Sequence, residues 1–569
     1  PPPSFHNQRI PPTVITFAQF MAVDIHSVTG VFLWTESPEW LLHMTLTDIH
    51  IDGSILHSSR SLLVNITVRS SSAKLLRHAA DACLAELSVA LAAEATFVAQ
   101  GPLSLEEVYV GLEHTKAVIN DGFYSFVQER HKTEPLSSKP DLAIIVQRLA
   151  PIIPKLLTLK LEDALLQDMA TLQLFQFKTK FTPAIPPATW PQLGVELKVT
   201  GFHVSKDTCK LLILDKLSFD AEVMEKAIIV QFSLKNLLVS YDHENVYSWL
   251  LTHLHQPQDL QEVEDEEEVS DWEWLQGVEL KGKAELLNVT TILRLSQASV
   301  DAVSGFNHLK VVCTCNPSTF NAEGHKYTAE LLMESAWCRL NSGQDAPPGK
   351  SHIWGTPLYL GVTLVNLRRP LTGPARLQGM LDIVRAEWSP PLASFLSHAA
   401  SCVKDYQSLR RVQQSSRSSS AMNLHIDTTI NITNTNAFFI ADKKVCIVVR
   451  LDKMLVDSRQ VKLSVTLEGA KIMSLSPTKA QFTCLRSEEI KAACCHVKMV
   501  RAEWHRQDNM WLVELTEEVD TVWSPNLHLK LLTLFKEMKA LRNTLVSPET
   551  VVSESSTMTE SPPRKLQVK

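Results

Sequence analysis

Along much of the chain apolar and polar residues alternate one for one. Val64, Ile66 and Val68 stand on one side of a stretch whose other side is Asn65, Thr67 and Arg69, the period-two signature of a strand with one apolar face. Residues 45–51, with Ile49 and Ile51 in phase, predict its partner. Val195, Leu197 and Val199 alternate with Glu196, Lys198 and Thr200, and Ile228, Val230, Phe232 and Leu234 with Ile229, Gln231, Ser233 and Lys235. Leu424, Ile426, Ile430 and Ile432 oppose His425, Asp427, Thr429, Asn431 and Thr433. Val461, Leu463, Val465 and Leu467 oppose Lys462, Ser464, Thr466 and Glu468. Further strands are predicted at 107–119, 156–166, 172–181, 211–219, 277–295, 309–315, 327–340, 359–367 and 378–388, with a hairpin of 496–504 on 510–522. Residues 73–100 are alanine-rich, which favours helix, yet Ala85, Leu87, Val89 and Leu91 alternate, and strand is the reading adopted.

The alternation is interrupted by a recurring junction. Trp388-Ser389-Pro390-Pro391-Leu392 and Trp523-Ser524-Pro525-Asn526-Leu527 each close a strand and open a helix, and Tyr241 to Leu251 is a looser copy without proline. Proline is tolerated in a first helical turn because its missing N–H would have no partner there, so Ser-Pro is a strand-to-helix switch. Short helices are also expected at 122–126, 141–149 and 246–254. Repetition at this long period divides the chain into modules at 14–130 (partial), 141–255, 277–400 and 421–545, with a disordered tail at 546–569. Trp388 and Trp523 are expected to plug the joints between modules. The acidic run 262–268 reads as a solvated loop and the Ser-rich 410–420 as a flexible connector.

Composition narrows the choices. With 45% hydrophobic and 21% charged residues the chain is globular, and 18 glycines are too few for a compact sandwich turning every ten residues. The net charge of -7 hides +6 over residues 401–569 (24 Lys+Arg against 18 Asp+Glu) and so -13 before them, without a basic cluster dense enough for nucleic acid. Neither Cys313-Thr-Cys315 nor Cys494-Cys495 has zinc-ligand spacing, so no metal or cofactor is expected and the ten cysteines read as reduced thiols. The sequons at Asn65, Asn288 and Asn431 fall inside strands. The chain starts Pro-Pro-Pro without Met, and no apolar run reaches eighteen residues; it is expected to be a piece of something longer.

GxSxG, GxxxxGK[ST] and GxGxxG are all missing, and His243-Glu244 lacks the second His of HExxH, so no enzyme is expected. What remains is the sidedness. The predicted helices are too few to cover about twenty strands, so either the sheet closes on itself as sandwiches or barrels, or its apolar face buries something else. An apolar trough suits lipid: a C16 chain costs on the order of 13 kcal/mol to bring into water. Twenty strands at ~4.8 Å would extend roughly 95 Å, a length suited to a conduit. A β-rich scaffold displaying loops 262–268 and 410–420 to adaptor proteins is the second reading.

Five or so alternating strands followed by an aromatic-Ser-Pro crossover resemble the repeating β-groove modules of the bridge-like lipid transfer proteins. The junctions at 388–392 and 523–527 look most like the Hobbit/SABRE branch. The resemblance implies a mostly β fold: a long, strongly twisted antiparallel sheet curled into an elongated apolar groove, with short crossover helices between modules. It implies bulk phospholipid transfer at contacts between the cytosolic face of the endoplasmic reticulum and, usually, the plasma membrane. Membranes would be met through terminal parts outside this stretch, since the family's amino-terminal anchor is not among these residues. Ile49, Ile51, Val64, Ile66, Val68, Val195, Leu197, Val199, Ile228, Val230, Phe232, Leu234, Leu424, Ile426, Ile430, Ile432, Val461, Leu463, Val465 and Leu467 would then line the lipid groove.

Overall fold

The structure, a computed structural model, describes residues 20–568 apart from 34–39, 57–60, 78–81, 100–102, 120–153, 168, 183–191, 207–208, 225, 248–277, 296–299, 316–324, 343–356, 371–373, 412–425, 443–444, 460–461, 476–492, 506–509, 517–518 and 546–564. The described residues are overwhelmingly strand, in open mixed sheet that is not closed into a barrel. The chain divides into two compact units, Pro1–Lys235 and Asn236–Lys569.

In the first unit β1 (Phe20–Leu33), β2 (Trp40–Leu56), β3 (Ser61–Arg77), β4 (Ala82–Ala99) and β5 (Leu103–Ile119) form an antiparallel meander. β6 (Leu156–Leu166) lies parallel to β5, after which β7 (Ala170–Thr182), β8 (Gln192–Lys206) and β9 (Cys209–Val223) resume the antiparallel order. β10 (Ala227–Asp242) pairs with β9 and contains the boundary between the units. The alanine-rich stretch is strand: Leu91 and Ala93 stand opposite Val68 and Ile66, and this apolar neighbourhood overrides helix propensity. The helices expected at 122–126 and 141–149, and the acidic run, lie outside the described residues. Of the third expected helix, 246–254, only 246 and 247 are described; they end a helical turn over 243–247, with His243 stacked 5.2 Å from Tyr247.

The second unit repeats the plan. β11 (Glu279–Arg294), β12 (Val300–Cys315), β13 (His325–Ser342), β14 (Leu358–Pro370) and β15 (Ala375–Trp388) are antiparallel neighbours. Helix α1 (Pro390–Arg411) opens at Ser389-Pro390 and returns the chain to β16 (Ile426–Asp442), parallel to β15. β17 (Val445–Ser458), β18 (Lys462–Leu475) and β19 (Cys495–His505) follow, and both β20 (Met510–Leu515) and β21 (Val519–Thr521) pair with β19. Helix α2 (Pro525–Leu545) comes next, and β22 (Lys565–Val568), inside the stretch expected to be disordered, lies parallel to β20. β17 escaped the sequence reading because Cys446 to Val449 is apolar on both faces and hides the alternation. α2 covers one face there, where Ile447 packs with Leu534, and on the other Val448 is buried beside its cross-strand neighbours Phe438 and Met473, with Ile440 in the same cluster.

Most strands run for 13 to 18 residues, and many carry a residue with positive φ near the middle. These are Asp48, His114, Asp163 and Gly201 in the first unit, and Asn236, Asn288, Ser335, Ile383, Asn434 and Gly469 in the second. Registers are the same on either side of most of them, so within each unit these residues and their cross-strand neighbours form a line across the strands. A left-handed residue interrupts the extended backbone, so the line divides each strand into two halves; Asn, Asp and Gly accept that conformation at least cost.

Both helices lie over one face at one end of the strands. Phe395 of α1 is buried with Leu295 and Ala302, and Leu534 of α2 with Ile447, flanked by Trp388, Phe439 and Ile472. Trp388 thus packs beside this helix-covered cluster, whereas Trp523, expected as a second plug, is 64% exposed beside His528. Ser524 caps α2 by accepting a hydrogen bond from the Leu527 N–H (3.2 Å). Ser524→Ala is expected to cost about 1 kcal/mol, read as a lower denaturation midpoint, with Ser524→Asp restoring it.

Candidate functional site: an uncovered apolar face

Following cross-strand partners from β1 to β9 gives rows of side chains on one face of the first unit. One row reads Ile25, Ile49, Val68, Leu91, Leu112, Leu161, Phe175, Val199 and Leu217. The next reads Val23, Ile51, Ile66, Ala93, Val110, Leu159, Phe177, Leu197 and Phe219. A third reads Met21, Gly53, Val64, Ala95, Val108, Leu157, Thr179, Val195 and Ala221. Across nine strands the only polar member is Thr179. At ~4.8 Å per strand each row extends for about 38 Å.

The second unit does the same from β11 to β19. Leu286, Leu309, Met333, Thr363, Leu381, Ile432, Met454, Leu467 and Val500 form one row. Ala284, Val311, Leu331, Val365, Gly379, Ile430, Val456, Val465 and Ala502 form the next. Thr363 is the only polar side chain in the two rows, and it is buried.

The residues expected to line a groove fall into place as follows. Ile49, Ile51, Val64, Ile66, Val68, Val195, Leu197 and Val199 share the face of the first unit's rows. Ile426, Ile430, Ile432, Leu463, Val465 and Leu467 share that of the second. Ile228, Val230, Phe232 and Leu234 alternate along β10, while Leu424 and Val461 lie outside the described residues. Most are half-buried; Ile49, Val68 and Leu234 are buried and Ile426 is exposed. Half-burial is what a strand receives from its own neighbours without a second layer over it. The sequence reading omitted the shares of β1, β4 to β7, β9, β11 to β15, β17 and β19, although Leu157, Leu159 and Leu161 alternate with Thr158, Lys160 and Glu162 as cleanly as any chosen segment.

The opposite face of the same strand halves is polar. Its row behind the second apolar one is Ala22, Asp52, Asn65, Glu94, Tyr109, Thr158, Lys178, Glu196 and Asp220. Ion pairs lie on the same face: His50 to Asp24 at 2.5 Å between strands, and Lys160 to Glu162 at 2.6 Å and Lys198 to Glu196 along single strands. Exposed pairs of this kind add little stability, but they keep that face in water. A hollow of about 910 Å³ opens at the line of left-handed residues, where Asp24, His26, Asp48, His50 and Arg69 meet Ile49 and Val68.

In the second unit Glu503 receives Lys462 at 2.7 Å and Arg501 at 2.8 Å, and these cations hold its carboxyl below the usual glutamate range. A depressed carboxyl stabilises the fold above its unfolded pKa, and that contribution is lost as pH falls through the folded value. Glu503→Gln is therefore expected to lower stability at pH 7 and to flatten the acid limb of the denaturation profile; parallel profiles for the two proteins would refute the assignment.

Among the described residues no three His, Cys, Asp or Glu side chains converge as metal ligands, and no helix is long and apolar enough to cross a membrane. Cys313 and Cys315 share one face of β12, in register with Gly282 and Leu280. No family model matches the chain. Its sequence is 25% identical to Protein hobbit of Drosophila melanogaster over 650 aligned positions, covering 97% of this chain. The chain is a homologue of hobbit. It spans 28% of the hobbit protein's length. Because the alignment runs through both units, both sets of apolar rows belong to the part shared with hobbit.

Proposed function

We propose that this chain is a segment of a bridge-like lipid transfer protein, holding phospholipid acyl chains along its apolar rows. Within a longer protein those rows would carry phospholipid in bulk between apposed membranes, at contacts of the endoplasmic reticulum with the plasma membrane. One observation carries the reading: three successive rows across nine strands are apolar with a single exception, while the reverse of the same strands is charged and wet. A surface of that extent and continuity, uncovered among the described residues, marks a place where something apolar is held. Covering acyl methylenes at about 0.8 kcal/mol each repays the exposure on both sides. The likeness to hobbit and the repeated five-strand plan support the same reading.

The test is extraction and native mass spectrometry of the purified chain. Several phospholipids per chain are expected, with chain length mattering more than headgroup; a lipid-free protein that takes up none from vesicles would sink the proposal.

A further inference from the structure

In the second unit the strand halves on the other side of the line of left-handed residues carry apolar rows of their own. Leu358, Ala386, Ala437, Val449, Ile472 and Cys495 stand in register across β14 to β19. Two residues nearer the line on each strand, and so on the same face, are Leu360, Val384, Thr435, Leu451, Ala470 and Val497. Thr435 is the one hydroxyl in the two rows. Two residues further out, Trp388, Phe439 and Ile447 pack where α2 crosses the strands. The helix therefore sits on the apolar side of these strand halves, and Ile472 belongs both to a row and to the cluster under the helix.

α2 is apolar on two sides. Leu527 and Leu534 are buried and Leu531 packs against the cluster, whereas Leu529, Leu532 and Phe535 are 63%, 43% and 69% exposed. Helical residues three apart are neighbours, so these three form a stripe that the sheet does not cover. Beside it a hollow of about 340 Å³ is lined by His528, Leu531, Leu532, Leu534 and Phe535. A helix whose core side is already packed on a sheet is ordinarily polar on its other side. This one is not.

We infer that the outer side of α2, with its hollow, holds a phospholipid acyl chain, and that this helix is a lipid-binding element as well as a crossover. The inference rests on the lipid-holding function proposed above and adds a site to it. An acyl chain needs no hydrogen-bond partner, which suits a hollow with His528 as its only polar lining residue. The site also continues an apolar surface: Ala470 and Val497 lead to Ile472 and Cys495, and Ile472 packs at the cluster beneath Leu534. Covering the stripe removes apolar area from water at about 25 cal/mol per Å², for the helix and for the acyl chain alike.

The experiment loads the whole chain from vesicles of phosphatidylcholine bearing a diazirine on one acyl chain, irradiates it, and maps the labelled tryptic peptides by mass spectrometry. The wild type is expected to carry label on residues 531–536 of α2 as well as on β6. Leu529→Gln/Leu532→Gln/Phe535→Gln is expected to lower the α2 label about tenfold relative to that on β6. Leu529→Met/Leu532→Met/Phe535→Met is expected to keep it. Both variants should retain the wild-type urea midpoint, since the three side chains are exposed. Label on β6 with none on α2, or an α2 label that the Gln variant leaves unchanged, overturns the helix site alone. A wild type that takes label nowhere overturns the function beneath it. If α2 is unlabelled and the wild type is a dimer where the Gln variant is a monomer, the stripe is an interface between copies and the acyl site falls.

Discussion

Aspartate at Ile66, Leu159 and Leu197 together is expected to strip the chain of co-purifying phospholipid, by more than about tenfold, while its β-sheet circular dichroism is retained. All three belong to the second apolar row of the first unit. A carboxylate facing an acyl chain must shed water with no partner in return, a cost of several kcal/mol where 1.4 kcal/mol is already tenfold. The fold should survive because the side chains are half-buried and, among the described residues, no second layer rests on them. The matched control places aspartate at Thr67, Gln176 and Ser218, on the reverse of the same region, where the row is already polar. Lipid content should not change there. Equal loss from the two triple variants would mean that damage to the sheet, and not the apolar face, removed the lipid.

The second large effect concerns how closely the strands approach. A Cβ on Gly305 would sit 2.4 Å from the Val289 carbonyl oxygen and 3.2 Å from the Trp337 ring, so the backbone of β11 would have to move. Gly305→Val is expected to destabilise the second unit by about 3 kcal/mol, seen as a lowered urea midpoint. Gly53→Val makes the contrast. It lies in an apolar row with no atom nearer than 3.9 Å to its added Cβ, and a β-branched residue suits the strand. Its expected change is between zero and about 1 kcal/mol of stabilisation, with lipid retained. A neutral Gly305→Val would show that β11 and β12 are not held at the separation described.

Much of this fold could be read from neighbouring residues alone. A period of two in Val64 to Arg69 or Val195 to Thr200 dictates a strand with one apolar side, because successive side chains on an extended backbone must point oppositely. Ser-Pro after Trp388 and Trp523 starts a helix because proline costs nothing where the N–H has no partner. Such features need no knowledge of the rest of the chain.

Where alternation was imperfect, the local signal failed. β17 is apolar on both sides at Ile447 and Val448: α2 covers one face, and on the other Val448 is buried between Phe438 and Met473 of the adjoining strands, a double burial that only packing creates. Asp48, Asn288 and Asn434 read as ordinary outward polar residues, yet they are left-handed points that divide the strands, which side-chain type by itself does not announce.

The sequence by itself determined that each strand has an oily side, that helices open at the two Trp-Ser-Pro junctions, and that no familiar catalytic motif is present. Only the tertiary structure decided that those sides fall in line. Leu377 meets Thr428 across the whole of α1, and Leu112 meets Leu161 across 48 intervening residues. Register between segments so far apart is fixed by hydrogen bonding and packing between strands, so it is a property of the assembled sheet and of no single stretch of chain.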